Sequence, residues 1–105
     1  MDTKNLQGFE RKYLRGLAHG IRPVILIGKE GLTDGIVRAT AEALLQHELI
    51  KIKYNDFKEK SQKEALTGDL AARTGAEQVG AIGHTVILFR PHPNPEMRRI
   101  ILPDR

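Results

Sequence analysis

Val24-Ile25-Leu26-Ile27-Gly28-Lys29-Glu30-Gly31-Leu32-Thr33 reads as a buried strand, a tight glycine loop and the start of a helix. Four apolar residues, three of them β-branched, stop at Gly28. A strand that ran on through Gly-x-x-Gly would lose the side chains it needs for packing. Thr33 suits an N-cap and Asp34 suits the first helical turn. The loop therefore lies where backbone N–H groups and the positive end of a helix dipole converge, a setting that favours an anion such as phosphate. Glycine at both ends permits close approach by another backbone, and Lys29 places a mobile cation between them.

Working outward, residues 5–19 form an expected helix with Leu6, Phe9, Tyr13, Leu14 and Leu17 on one stripe. Off that stripe lie Arg11, Lys12 and Arg15, with Arg22 just beyond the helix. Arg11 and Arg15 are one turn apart and share a face. A solvated surface accounts for such a cluster taken alone. Here the basic helix leads straight into the strand carrying the glycine loop.

Downstream, residues 33–47 read as a second helix with Ile36, Val37, Ala41, Leu44 and Leu45 turned inward. Residues 49–54 alternate: Ile50, Ile52 and Tyr54 point one way, Leu49, Lys51 and Lys53 the other. Lys51 and Lys53 either guard an edge or half-open strand or offer charge to a partner. Residues 61–74 form a third helix with Ala65, Leu66, Leu70 and Ala71 inward and Gly75 closing it. Residues 77–82 and 85–90 are strands joined by a tight turn at Gly83-His84. Val86-Ile87-Leu88-Phe89 is apolar throughout, as expected of a strand covered on both faces. Pro91, Pro93 and Pro95 then interrupt regular structure. The order α-β-α-β-α-β-β predicts an α/β fold, a mixed sheet and helices on both sides, with the first three strands as parallel neighbours. Residues 1–90 are expected to form one domain and residues 91–105 a proline-rich tail whose apolar residues dock in extended form.

The chain has 105 residues, enough for one modest core, and no cysteine, which excludes disulfides and thiolate chemistry. Its apolar runs are strand-sized and its first residues lack the apolar segment of a signal peptide, so the expected location is the cytoplasm. Seventeen Lys and Arg against 13 Asp and Glu give a net charge of +4, a mild bias toward polyanions. The loop fails the P-loop pattern, because Pro23 stands where the first glycine belongs and Glu30 where Ser or Thr belongs. It also lacks the third glycine of a dinucleotide fingerprint. What remains is a Gly-x-x-Gly clamp of the kind that KH domains close on a nucleic-acid backbone. The second match, Gly80-Ala81-Ile82-Gly83, has no basic residue and reads as structural. The four histidines show no metal-ligand spacing, and the single serine, Ser61, starts a helix, so no catalytic residue, metal or cofactor is expected. Phe57, in a polar loop, is the aromatic placed for base stacking.

Four separated blocks carry a wider likeness: Tyr13-Leu14-Arg15-x-Leu17-Ala18, Pro23-Val24-x-x-x-Gly28-Lys29-x-Gly31-Leu32-Thr33, residues 48–53, and Ile82-Gly83-x-Thr85-Val86-Ile87-Leu88-Phe89-Arg90. In this order they resemble the CRM domain, the chloroplast RNA splicing and ribosome maturation module, in its stand-alone bacterial YhbY form. The resemblance implies a four-stranded mixed sheet akin to the C-terminal domain of translation initiation factor three. It implies binding to RNA of large-ribosomal-subunit precursors, without catalysis. It places RNA contacts at Gly28, Lys29, Glu30 and Gly31, and a basic surface at Arg15, Arg22, Lys51 and Lys53, to which the helix face adds Arg11. DNA, a membrane and a second copy are not expected as partners. The alternative is a module that binds a protein on ribosomal assembly intermediates and does not touch RNA.

Overall fold

Alternation and helical periodicity do their expected work over most of the chain, and the computed structural model describes residues 6–55 and 59–104. The element order is α1 (Gly8–Ala18), β1 (Pro23–Ile27), α2 (Asp34–His47), β2 (Leu49–Tyr54), α3 (Lys60–Thr74), β3 (Glu77–Ile82) and β4 (Thr85–Phe89). A 3-10 turn, Pro95–Met97, follows. The strands lie in the order β1-β2-β4-β3. β1 and β2 are parallel, while β4 is antiparallel to both β2 and β3. β3 thus runs in the direction of β1 and β2 without being their neighbour, which corrects the expectation of three adjacent parallel strands. The two-residue turn at Gly83-His84, with Gly83 at φ +59°, pairs β4 with β3, and β4 pairs with β2 on its other side, which leaves β3 at the sheet edge.

One sheet face is closed by α2 and α3. Ile25, Ile27, Ile50, Ile52, Tyr54, Val86 and Leu88 meet Leu44 and Leu70 there. Each such side chain contributes about 1.5–3 kcal/mol through burial. Three buried threonines escaped the apolar pattern, and each is satisfied. The Thr40 hydroxyl donates to the Ile36 carbonyl at 2.8 Å, the Thr74 hydroxyl to the Leu70 carbonyl at 2.8 Å, and Thr67 shares a 2.6 Å bond with the Tyr54 hydroxyl. Burial pushes the Tyr54 phenol up in pKa, and the Thr67 contact opposes that rise. Leu45 and Ala65, expected inward, are exposed; their helices turn Thr40, Leu44, Thr67 and Leu70 to the core instead.

The other face is closed only in part. α1 lays Leu14 and Ala18 on Leu49, Val79, Ile87 and Phe89. Tyr13 and Leu17, assigned to the inner stripe from sequence, remain 40 % and 41 % exposed. The chain after β4 completes this side, with Ile100 and Leu102 packed against the same cluster. Its anchor is Glu48, the one non-glycine residue at positive φ (66°) among the described residues. The buried carboxylate accepts from the backbone N–H of His92 at 2.8 Å, Arg99 at 2.9 Å and Ile100 at 3.1 Å. Burial by itself would raise the Glu48 pKa; the three N–H donors and the nearby His92 imidazole hold it below the ordinary value instead.

Candidate nucleic-acid interface

The glycine loop is a closed turn standing in solvent. Gly31 N–H donates to the Gly28 carbonyl at 3.1 Å, and Lys29 and Glu30 are exposed at its tip. Gly31 needs to be glycine, because its φ of +70° strains any side chain. Gly28 has no such internal reason: a Cβ built there meets nothing within 4 Å. The helix start supplies fewer donors than expected, since Thr33 Oγ1 accepts from the Ile36 N–H at 3.1 Å. The amides of Lys29 and Glu30 make no hydrogen bond among the described residues.

β2 is an interior strand, so Lys51 and Lys53 do not protect an edge. Both lie on the α1 side of the sheet, where two rows cross all four strands. The first is Pro23, Lys51, Ile87 and Gly80; the second is Leu26, Lys53, Thr85 and Ile82. The second row lies beyond α1, with Leu26 54 % and Ile82 68 % exposed. Between the rows is a shallow hollow of about 190 Å³ lined by Pro23, Lys51, Ile82, Thr85 and Ile87. Leu26 leads directly through Ile27 into Gly28, so the glycine turn stands at the rim of this open face.

The arginines divide. Arg15 crosses the end of the first row over Gly80, where an alanine Cβ would lie 2.7 Å from Arg15 Cδ. One of its N–H groups donates to the Val79 carbonyl at 3.0 Å, which fixes the guanidinium beside the open face. Arg11 is engaged elsewhere: it pairs with the Glu77 carboxylate and donates to the Gln78 carbonyl at 2.6 Å. It ties α1 to the edge of β3 and neutralises the acidic side chain opposite Phe89. Arg22 is exposed immediately before β1. The fold thus gathers the Gly28–Gly31 turn, Arg15, Lys51 and Lys53 around one face, sets Arg22 at its margin, and leaves Arg11 apart.

Lys63 is not among the contacts expected from the sequence. The sheet end that carries the glycine turn also holds Asn55, whose N–H donates to the Ile27 carbonyl at 2.9 Å, and His84, whose carbonyl accepts from Tyr54 N–H at 2.8 Å. Lys63 reaches this end, 3.3 Å from the Gly83 carbonyl and 3.0 Å from His84 Nδ1. The pairing of β2 with β1 brings Asn55 to this end and that of β4 with β2 brings His84, so local sequence gave no signal. Phe57 lies outside the described residues.

The family described as the CRS1 / YhbY (CRM) domain matches residues 6–90. A protein of Haemophilus influenzae named "RNA-binding protein" is 37% identical over 96 residues, which span 91% of this chain and 93% of that one. Bacillus subtilis "Probable RNA-binding protein YqeI" is 31% identical over 98 residues, 93% of this chain and 99% of that one. A Staphylococcus aureus protein proposed to bind RNA, solved in solution, superposes with a TM-score of 0.76 at 33% identity, covering 93% of this chain and 99% of that one.

Proposed function

Since the chain belongs to the CRS1/YhbY (CRM) domain family, we propose that it binds structured RNA, specifically ribosomal RNA of large-subunit precursors, and assists their assembly. One observation carries the proposal: the fold brings Arg15, Lys51 and Lys53 onto a sheet face left uncovered beside an exposed glycine turn. Phosphates at the turn would accept from the tip amides and from Lys29, while neighbouring phosphates would meet Lys51, Lys53 and Arg15. The open space at Gly28 leaves room for the sugar-phosphate chain. Glu30 shares the tip and limits its positive charge, so the cations of the sheet supply most of the attraction. The role proposed is binding rather than chemistry, by a monomer in the cytoplasm. With roughly four phosphates engaged, log affinity should fall with log salt at a slope of about −3. A gel-shift series across salt tests this; an affinity for ribosomal RNA that salt leaves unchanged overturns the mechanism. Cosedimentation with immature large subunits, rather than at the top of the gradient, tests the assembly role.

A further inference from the structure

The two sheet edges are treated differently. β3 has guanidiniums of Arg11 and Arg15 on its carbonyls, whereas β1 is paired with β2 on one side only. Beside β1 lies a cleft of about 410 Å³ walled by Leu17, Ile21, Val24 and Ile100, with Arg22 and His47 at its polar margin. A second cleft, lined by Tyr13, Leu17, Lys12 and Pro103, adjoins it through Leu17. Val24 is 50 % exposed. The post-β4 segment held by Glu48 supplies a wall to each cleft through Ile100 and Pro103.

We propose that this surface binds an extended, acidic and apolar polypeptide segment that adds a strand to the open edge of β1. The walls are apolar, which suits side chains and does not suit phosphates. A strand edge offers backbone hydrogen bonds to another backbone, and alternate apolar side chains of the guest would enter the clefts. Among the described residues the cleft linings carry Lys12 and Arg22 and no carboxylate, so acidic residues of the guest find complementary charge. A second copy of the chain would bring the same cations and a net charge of +4. The cleft walls Leu17, Ile21 and Ile100 lie outside the two lysine rows, and only Arg22 borders both surfaces, so the peptide test is read in the absence of RNA.

The test pans a displayed library of random peptides, about twelve residues long, against the full chain and then measures selected peptides by fluorescence anisotropy. Selected sequences should alternate apolar and acidic residues. Val24→Arg and Leu17→Glu should each weaken them by at least about tenfold, while Leu45→Glu, exposed on α2 and in neither cleft lining, leaves them unchanged. Circular dichroism melts verify folding, and Leu17→Glu decides if Val24→Arg does not fold. Failure to enrich, enrichment of basic sequences, indifference to the folded cleft variants, or self-association through this face in sedimentation would each overturn the proposal.

Discussion

The two faces of one sheet differ in what their lysines and leucines are for. Under α2 and α3 the face is closed: its side chains touch one another, and its polar groups are threonines and a tyrosine bonded within the protein. Under α1 the face is closed at one end and open at the other, where Lys53, Leu26 and Ile82 meet solvent on strands that are otherwise well packed. On the proposed function, stability and recognition are separated across a single layer of backbone. The closed face holds the open one in register, so residues far apart in sequence present one cationic surface.

The largest effect belongs to the closed face. Leu70→Ala should cost about 2–5 kcal/mol in urea unfolding, while RNA affinity of the folded fraction stays unchanged. A parallel loss of affinity at full folding would break the separation. Next comes Glu48, which ties the post-β4 segment to the half-open face. Glu48→Gln should cost about 1–3 kcal/mol by weakening the buried acceptor of three part-buried N–H groups. The folded pKa of Glu48 is lowered, so its stabilisation is full above the unfolded value and disappears as pH falls through the folded value. The stability gap between native chain and variant should therefore narrow in acid below the ordinary glutamate range, as thermal melts across pH would show.

On the open face the effects move from stability to binding. Lys51→Ala and Lys53→Ala should each change stability by no more than about 0.5 kcal/mol, yet lower the salt slope of RNA binding by about one unit per phosphate lost. At the turn the two glycines should respond differently. Gly28→Ala should be neutral or stabilise by up to about 1 kcal/mol through the unfolded chain, and still weaken RNA by occupying the open space. Gly31→Ala should cost about 1–2 kcal/mol from its left-handed backbone. If Gly28→Ala leaves RNA affinity intact, the close approach of a nucleic-acid backbone there is refuted.

Much of this contrast was legible in sequence. Alternation in residues 49–54 separated Ile50, Ile52 and Tyr54 from Lys51 and Lys53, and the uninterrupted Val86–Phe89 run marked the strand covered on both faces. The strand Val24–Ile27 misled, since four apolar residues suggested two buried faces while Val24 and Leu26 stay half exposed at an edge. Composition cannot distinguish a covered apolar strand from one awaiting a partner. Arg11 and Arg15 look alike on a helix face, and only the placement of β3 separates the ion-paired Arg11 from Arg15 beside the open rows. The Glu48 anchor was invisible for the same reason: its three donors come from residues more than forty positions away.

The most direct test is an NMR titration of the isotopically labelled chain with a structured ribosomal RNA fragment. The account predicts shift changes concentrated at Gly28–Gly31, Lys51, Lys53 and Ile82, with the outer surfaces of α2 and α3 unmoved. Changes centred on α2 and α3, with the glycine turn and β2 silent, would contradict it.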